Sequence, residues 1–121
     1  MPSDTDHIQQ ARRNAQFLST FDLAATPHAE WVIIVAFYTA VHLVEAHFAR
    51  ANLHWRRHED RNRQVERQFP EISTDYMLLY KESRKARYDC LPVTSAQASR
   101  AVHNFYEPVR IRLCNLLGIA M

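Results

Sequence analysis

A single glycine, Gly118, stands in 121 residues, and that scarcity excludes a great deal. Phosphate-cradling loops, dinucleotide-binding fingerprints, nucleophile elbows and tight hairpins all need backbone at positive φ. A P-loop, a Rossmann domain and a many-turned β-sandwich are ruled out. Lysine is almost as sparse: of 15 cationic residues only Lys81 and Lys85 are lysine and the rest are arginine. Arginine's planar fork suits bidentate pairing with phosphate or carboxylate, although a GC-rich coding sequence would leave the same skew. The formal charge of +2 is too small to argue for a nucleic-acid partner by itself. With two cysteines, Cys90 and Cys114, and no cleavable hydrophobic leader, the chain reads as a cytoplasmic protein with reduced thiols. The longest uncharged stretch, Trp31 to Val44, falls short of the ~20 residues that cross a bilayer and carries His42. It reads as a buried core helix, and no membrane partner is expected.

What is present is helical periodicity. Ser3, Asp4 and Asp6 suit a helix start, and Ile8, Ala11, Ala15 and Leu18 follow at helical spacing, which predicts a helix over about 4–22. Thr26-Pro27 and then Glu30 predict the start of a second, over about 27–51, whose apolar residues point almost all round. Arg50 to Arg67 is a charged, solvated stretch with a short basic helix near 58–69, ending before Pro70. Ser73 reads as the cap of a fourth helix over about 74–90, stopped by Leu91-Pro92. Thr94 or Ser95 opens the last, with a stripe of Ala98, Val102, Phe105, Val109, Leu113 and Leu116 and a kink expected at Pro108. No segment alternates like a half-buried strand. The expectation is one all-α domain over 1–121: an antiparallel bundle of four long helices plus the short basic one.

Three groups of residues could carry chemistry. Tyr38, His42 and Glu45 share one stripe of the most apolar helix. They read either as a core with His42 paired to Glu45, or as one wall of a pocket in which Glu45 orients His42 or meets an arginine from another helix. Tyr76, Tyr80, Ser83, Arg84 and Arg87 share a stripe of the fourth helix, with Lys81, Lys85 and Tyr88 beside it. Guanidiniums interleaved with rings suit phosphates and stacked bases, while the bland reading is core tyrosines and arginines paired to Glu45, Glu82 or Asp89. His54 and His58 are spaced to share a metal only if that stretch is helical. No His-Glu-x-x-His and no pair of Glu-x-x-His motifs is present, so neither a metal nor another cofactor is expected.

The run Phe37-Tyr38-Thr39-Ala40-Val41-His42-Leu43-Val44-Glu45-Ala46, then His58-x-x-Arg61, then Tyr80 and Ser83-Arg84-Lys85-Ala86-Arg87-Tyr88-Asp89, resembles the small bacterial HEPN domains, the "higher eukaryotes and prokaryotes nucleotide-binding" group. The likeness covers about 30–95. It implies a bundle of four or five helices that dimerises, in a family many of whose members cleave RNA without metal in toxin-antitoxin and phage-defence systems. The family's signature, Arg followed after four to six residues by His, is absent around every arginine here, which puts ribonuclease activity in doubt. By the resemblance and the residue types together, His58, Arg61 and Arg84 are the catalytic candidates. Arg61, Arg84, Arg87, Tyr80 and Tyr88 are candidates for binding phosphate or RNA, and Tyr38, His42 and Glu45 form the pocket wall. The alternatives are a non-catalytic interaction module with an operon-encoded partner, and a small metal-binding bundle.

Overall fold

The computed structural model describes residues 1–121 and contains helices and connecting turns, with no strand. α1 (Asp4–Leu18) opens on a capping box: the Ser3 hydroxyl accepts from the Asp6 amide and the Asp6 carboxylate accepts from the Ser3 amide. It ends four residues earlier than its periodicity predicts. The Ser19 and Thr20 hydroxyls donate back to the carbonyls of Gln16 and Phe17, competing with the next helical turn. α2 (Ala29–Ala49) starts after His28 rather than at Pro27, because the Thr26 hydroxyl accepts from the His28 amide and holds that turn outside the helix.

α2 is the axis of the molecule. It packs most extensively on α1 and also meets α4, α5 and α6, so Val32, Ile33, Ala36, Phe37, Ala40, Leu43, Val44 and Ala46 are almost completely buried. By length and composition it could cross a membrane, but two-thirds of that apolar window (67%) is buried against the rest of the chain.

α3 (His58–Gln68) stops at Phe69, and α4 (Pro70–Tyr88) starts at once. Proline, not Ser73, sets the start of α4. Pro70 occupies the first turn, where a missing amide leaves nothing unpaired, and the Ser73 hydroxyl lies inside the helix donating to the Pro70 carbonyl. Phe69 anchors the junction against the rings of His47 and Phe48.

The last helical run begins at α5 (Ser95–Arg100) with a second capping box, Thr94 with Gln97. It widens into a π-helical turn over Ala101–Tyr106 and continues as α6 (Glu107–Leu117). Pro108 has no amide to offer the preceding turn and its ring needs room, and the wider turn answers both demands. Tyr106 and Leu117 are enclosed where Phe105 and Leu116 were expected, while Ala98, Val102, Val109 and Leu113 hold their predicted places. Gly118 closes α6 in the left-handed region, φ 71°. Asn52 and Cys90 take the same conformation without glycine's freedom, at φ 57° and 54°.

α1 is fastened to α2 by a polar contact inside the apolar seam. Nδ1 of His7 lies 3.0 Å from Nδ1 of His42, with the rings 5.3 Å apart. One nitrogen must donate and the other accept, so the pair carries one shared hydrogen bond and no room for a second proton. Burial, and then the facing His7, Arg61 and Arg13, push His42 down to about 4. Burial also lowers His7, with Glu45 and Asp6 opposing and His54 and Arg61 assisting. Unfolded histidines titrate near 6.5, so below that pH the unfolded chain binds protons that the native chain refuses. Stability should therefore fall as pH drops from about 6.5 towards 4. Urea denaturation followed at pH 7.5, 6 and 5 should show the midpoint falling, and His42→Gln should flatten that dependence. An equally steep dependence in the variant would contradict the assignment.

Candidate functional site

The polar stripe of α2 divides between two neighbours. His42 faces α1 and His7, whereas Glu45 faces α3, so the two side chains do not pair with each other and Glu45 instead meets an arginine from another helix, the second of the two expectations. Glu45 Oε1 accepts from Arg61 Nε at 2.7 Å, with both side chains less than a tenth exposed (6% and 8%). Glu45 Oε2 accepts from the Trp55 amide, and Arg61 Nη2 donates to the Trp55 carbonyl at 2.7 Å. One buried ion pair thereby grips both sides of the Trp55 peptide backbone. It holds the irregular stretch between α2 and α3 against the core, where otherwise unpaired backbone groups would be costly.

Arg61 has one further duty. Its Nη1 lies 3.0 Å from His58 Nδ1. A guanidinium only donates, so Nδ1 must accept and a neutral His58 carries its proton on Nε2. Protonating Nδ1 would break this bond. Accordingly His58 is held below the usual histidine range, first by burial and then by the charges of Arg61, Arg87 and Arg84. The ring sits among aromatics, 5.6 Å from Phe37, 6.3 Å from Tyr38 and 5.6 Å from Tyr80. Its Nε2 makes no hydrogen bond within the chain and is not sealed from solvent.

α4 supplies the outer layer. Arg87 donates through Nη1 to the Tyr38 hydroxyl at 2.7 Å and through Nε to the Ser83 carbonyl, and its Nη2 is left uncommitted. Its guanidinium carbon lies 5.6, 5.5 and 5.2 Å from the ring centres of Phe37, Tyr38 and Tyr88, within cation–π range. Arg84 is exposed and touches the Tyr80 hydroxyl at 3.3 Å. Lys81, Arg84, Lys85 and Asp89 border a shallow concavity of about 270 Å³. A second groove of about 370 Å³ runs between α2 and the end of α4, lined by Glu30, Trp31, Ile34, Tyr38, Ala86 and Arg87.

The structure thus brings Tyr38, His58, Tyr80, Arg84, Arg87 and Tyr88 onto one face. It leaves His42 outside that face, against α1. Glu45 and Arg61 lie directly beneath, and Arg61 has no free edge for a phosphate because Nε, Nη1 and Nη2 all serve internal acceptors. Tyr76 is a core residue. His54 lies in the non-helical stretch before α3, so the helical spacing that would let it share a metal with His58 is not realised. The largest concavity, about 720 Å³, is elsewhere, an apolar hollow between α1 and α2 lined by Phe17, Phe21, Ala25, Pro27 and Trp31 among others.

Two residues escaped the sequence reading. His7 falls four residues before Ala11 on the apolar stripe of α1, a spacing that marks an inward imidazole needing a partner. Glu30 reads only as a first-turn acid, since its groove exists only once α4 is in place. No known protein family, curated protein or solved structure matches the chain.

The ion pair generates a direct expectation. Glu45→Ala or Arg61→Ala, each leaving a buried charge unpaired, should cost about 3–5 kcal/mol in urea unfolding. The double substitution Glu45→Leu with Arg61→Met should recover much of that loss. Near-additive losses would show that the two charges do not depend on each other.

Proposed function

We propose that the chain is a HEPN-like domain that binds single-stranded RNA or a nucleotide through the outer face of α4, with Arg84 and Arg87 as the phosphate-binding cations. The observation that carries this reading is the setting of Arg87. It is pinned to Tyr38, stacked among three rings, and still has an unused donor edge. Such a cation is already ordered before a ligand arrives, and the neighbouring rings offer faces to bases. Lys81, Arg84 and Lys85 add mobile positive charge alongside.

The geometry supports binding ahead of cleavage. A base for attack by a ribose 2′-hydroxyl needs a free lone pair, and the Nδ1 lone pair of His58 is engaged by Arg61. What His58 offers outward is an N–H, a donor suited to a phosphate oxygen. A cytoplasmic homodimer, with antiparallel packing of four long helices and the short basic one, belongs to the same reading. A non-catalytic interaction module is the alternative, favoured by the complete internal use of Arg61.

The test is RNA binding by fluorescence anisotropy at 50 and 200 mM salt. The expected result is affinity that weakens with salt. Arg84→Ala with Arg87→Ala should remove about 1.4 from the slope of log affinity against log salt, roughly 0.7 per lost phosphate contact. Absence of binding at low salt, or an unchanged slope in the double variant, overturns the proposal.

A further inference from the structure

We infer that the groove between α2 and the C-terminal end of α4 is a subsite for a guanine base, an inference that rests on the RNA- or nucleotide-binding reading above. Three features of the groove define its ligand. Trp31 is half exposed (52%), an unusual position for an indole in a chain with an ample core, and presents a large apolar face for stacking. Arg87 forms the opposite end of the lining, with Nη2 free for a phosphate or ribose oxygen. Beside Trp31, in the first turn of α2, stands Glu30, which takes part in none of the chain's ion pairs.

An unpaired carboxylate within a phosphate-binding face is unhelpful to the phosphate. It is useful to a base that brings adjacent N–H donors. On their Watson–Crick edges, guanine alone offers two neighbouring donors, N1–H and the N2 amino group, which match the two oxygens of a carboxylate. Adenine and cytosine each set a ring acceptor beside the amino group, which would face Glu30 with like polarity. Uracil flanks its one N–H with carbonyls. About 370 Å³ of space accommodates a base with its ribose, and Ile34 and Ala86 supply apolar contact along its length.

The experiment uses the full chain and two kinds of probe. The first is a set of labelled pentauridylates whose central base is G, A, C or U, measured by anisotropy at low salt. The second is 5′-GMP against 5′-AMP, read as quenching of tryptophan fluorescence in the native protein and in Trp31→Phe. The expected result is roughly ten-fold tighter binding of the G-centred oligonucleotide, the scale of one good bidentate pair. Glu30→Gln should erase that preference without weakening the binding of pentauridylate, and GMP quenching should be lost in Trp31→Phe. Binding with no preference for guanine, or a preference that survives Glu30→Gln, overturns the subsite and leaves the cationic face standing. If none of the oligonucleotides binds, both readings fall together.

Discussion

The buried pair of Glu45 and Arg61 is the contact on which the arrangement of α2, α3 and the face above them depends. Two charges enclosed to this degree are tolerated only when every remaining donor and acceptor is occupied. Here the occupants are the amide and carbonyl of Trp55 and one nitrogen of His58. The pair therefore does not act alone. It converts an irregular connection into a fixed one and chooses which nitrogen of an imidazole carries the hydrogen.

From this follows a division of labour among the arginines. Arg61 is an internal strut. Arg87 stands one layer out, restrained by a hydroxyl and a carbonyl yet with an edge to spare. Arg84 stands fully outside, resting on Tyr80. Charge thus becomes more available from the core outwards while remaining close enough to depress His58. Burial is the first cause of His58 staying neutral, and the repulsion that assists it is the same field that would attract an anion, so these cations both help suppress one proton site and prepare a place for phosphate.

How much of this was legible in the sequence depended on whether the cause was local. The capping boxes at Ser3 and Thr94 are set within four residues, and the residue types declare them. The all-helical character follows from periodicity and from the near absence of glycine. The division of His42 from Glu45 was not legible. A helical projection puts them on one stripe, but which neighbour each meets is decided by α1 and by the path from Arg50 to Arg57. The fate of Arg61 was hidden for the same reason: a basic, polar segment reads as solvated, and nothing local announces that one of its arginines turns inward. The error at Ser73 was of another kind, a competition between two valid start signals that Pro70 wins by preset geometry.

The π-helical turn over Ala101–Tyr106 fixes more than the accommodation of a proline. Because it already holds one residue more than an α-turn, removing a residue there would restore ordinary helix and leave the flanking residues in register, whereas adding one would swing everything beyond it by about 100°. Val109 and Leu113 would leave the interior, and the Arg112 side chain would be carried away from Glu71 on α4, with which it now pairs. The wide turn is thus the slack in the last helical run, able to give up a residue but not to take in another.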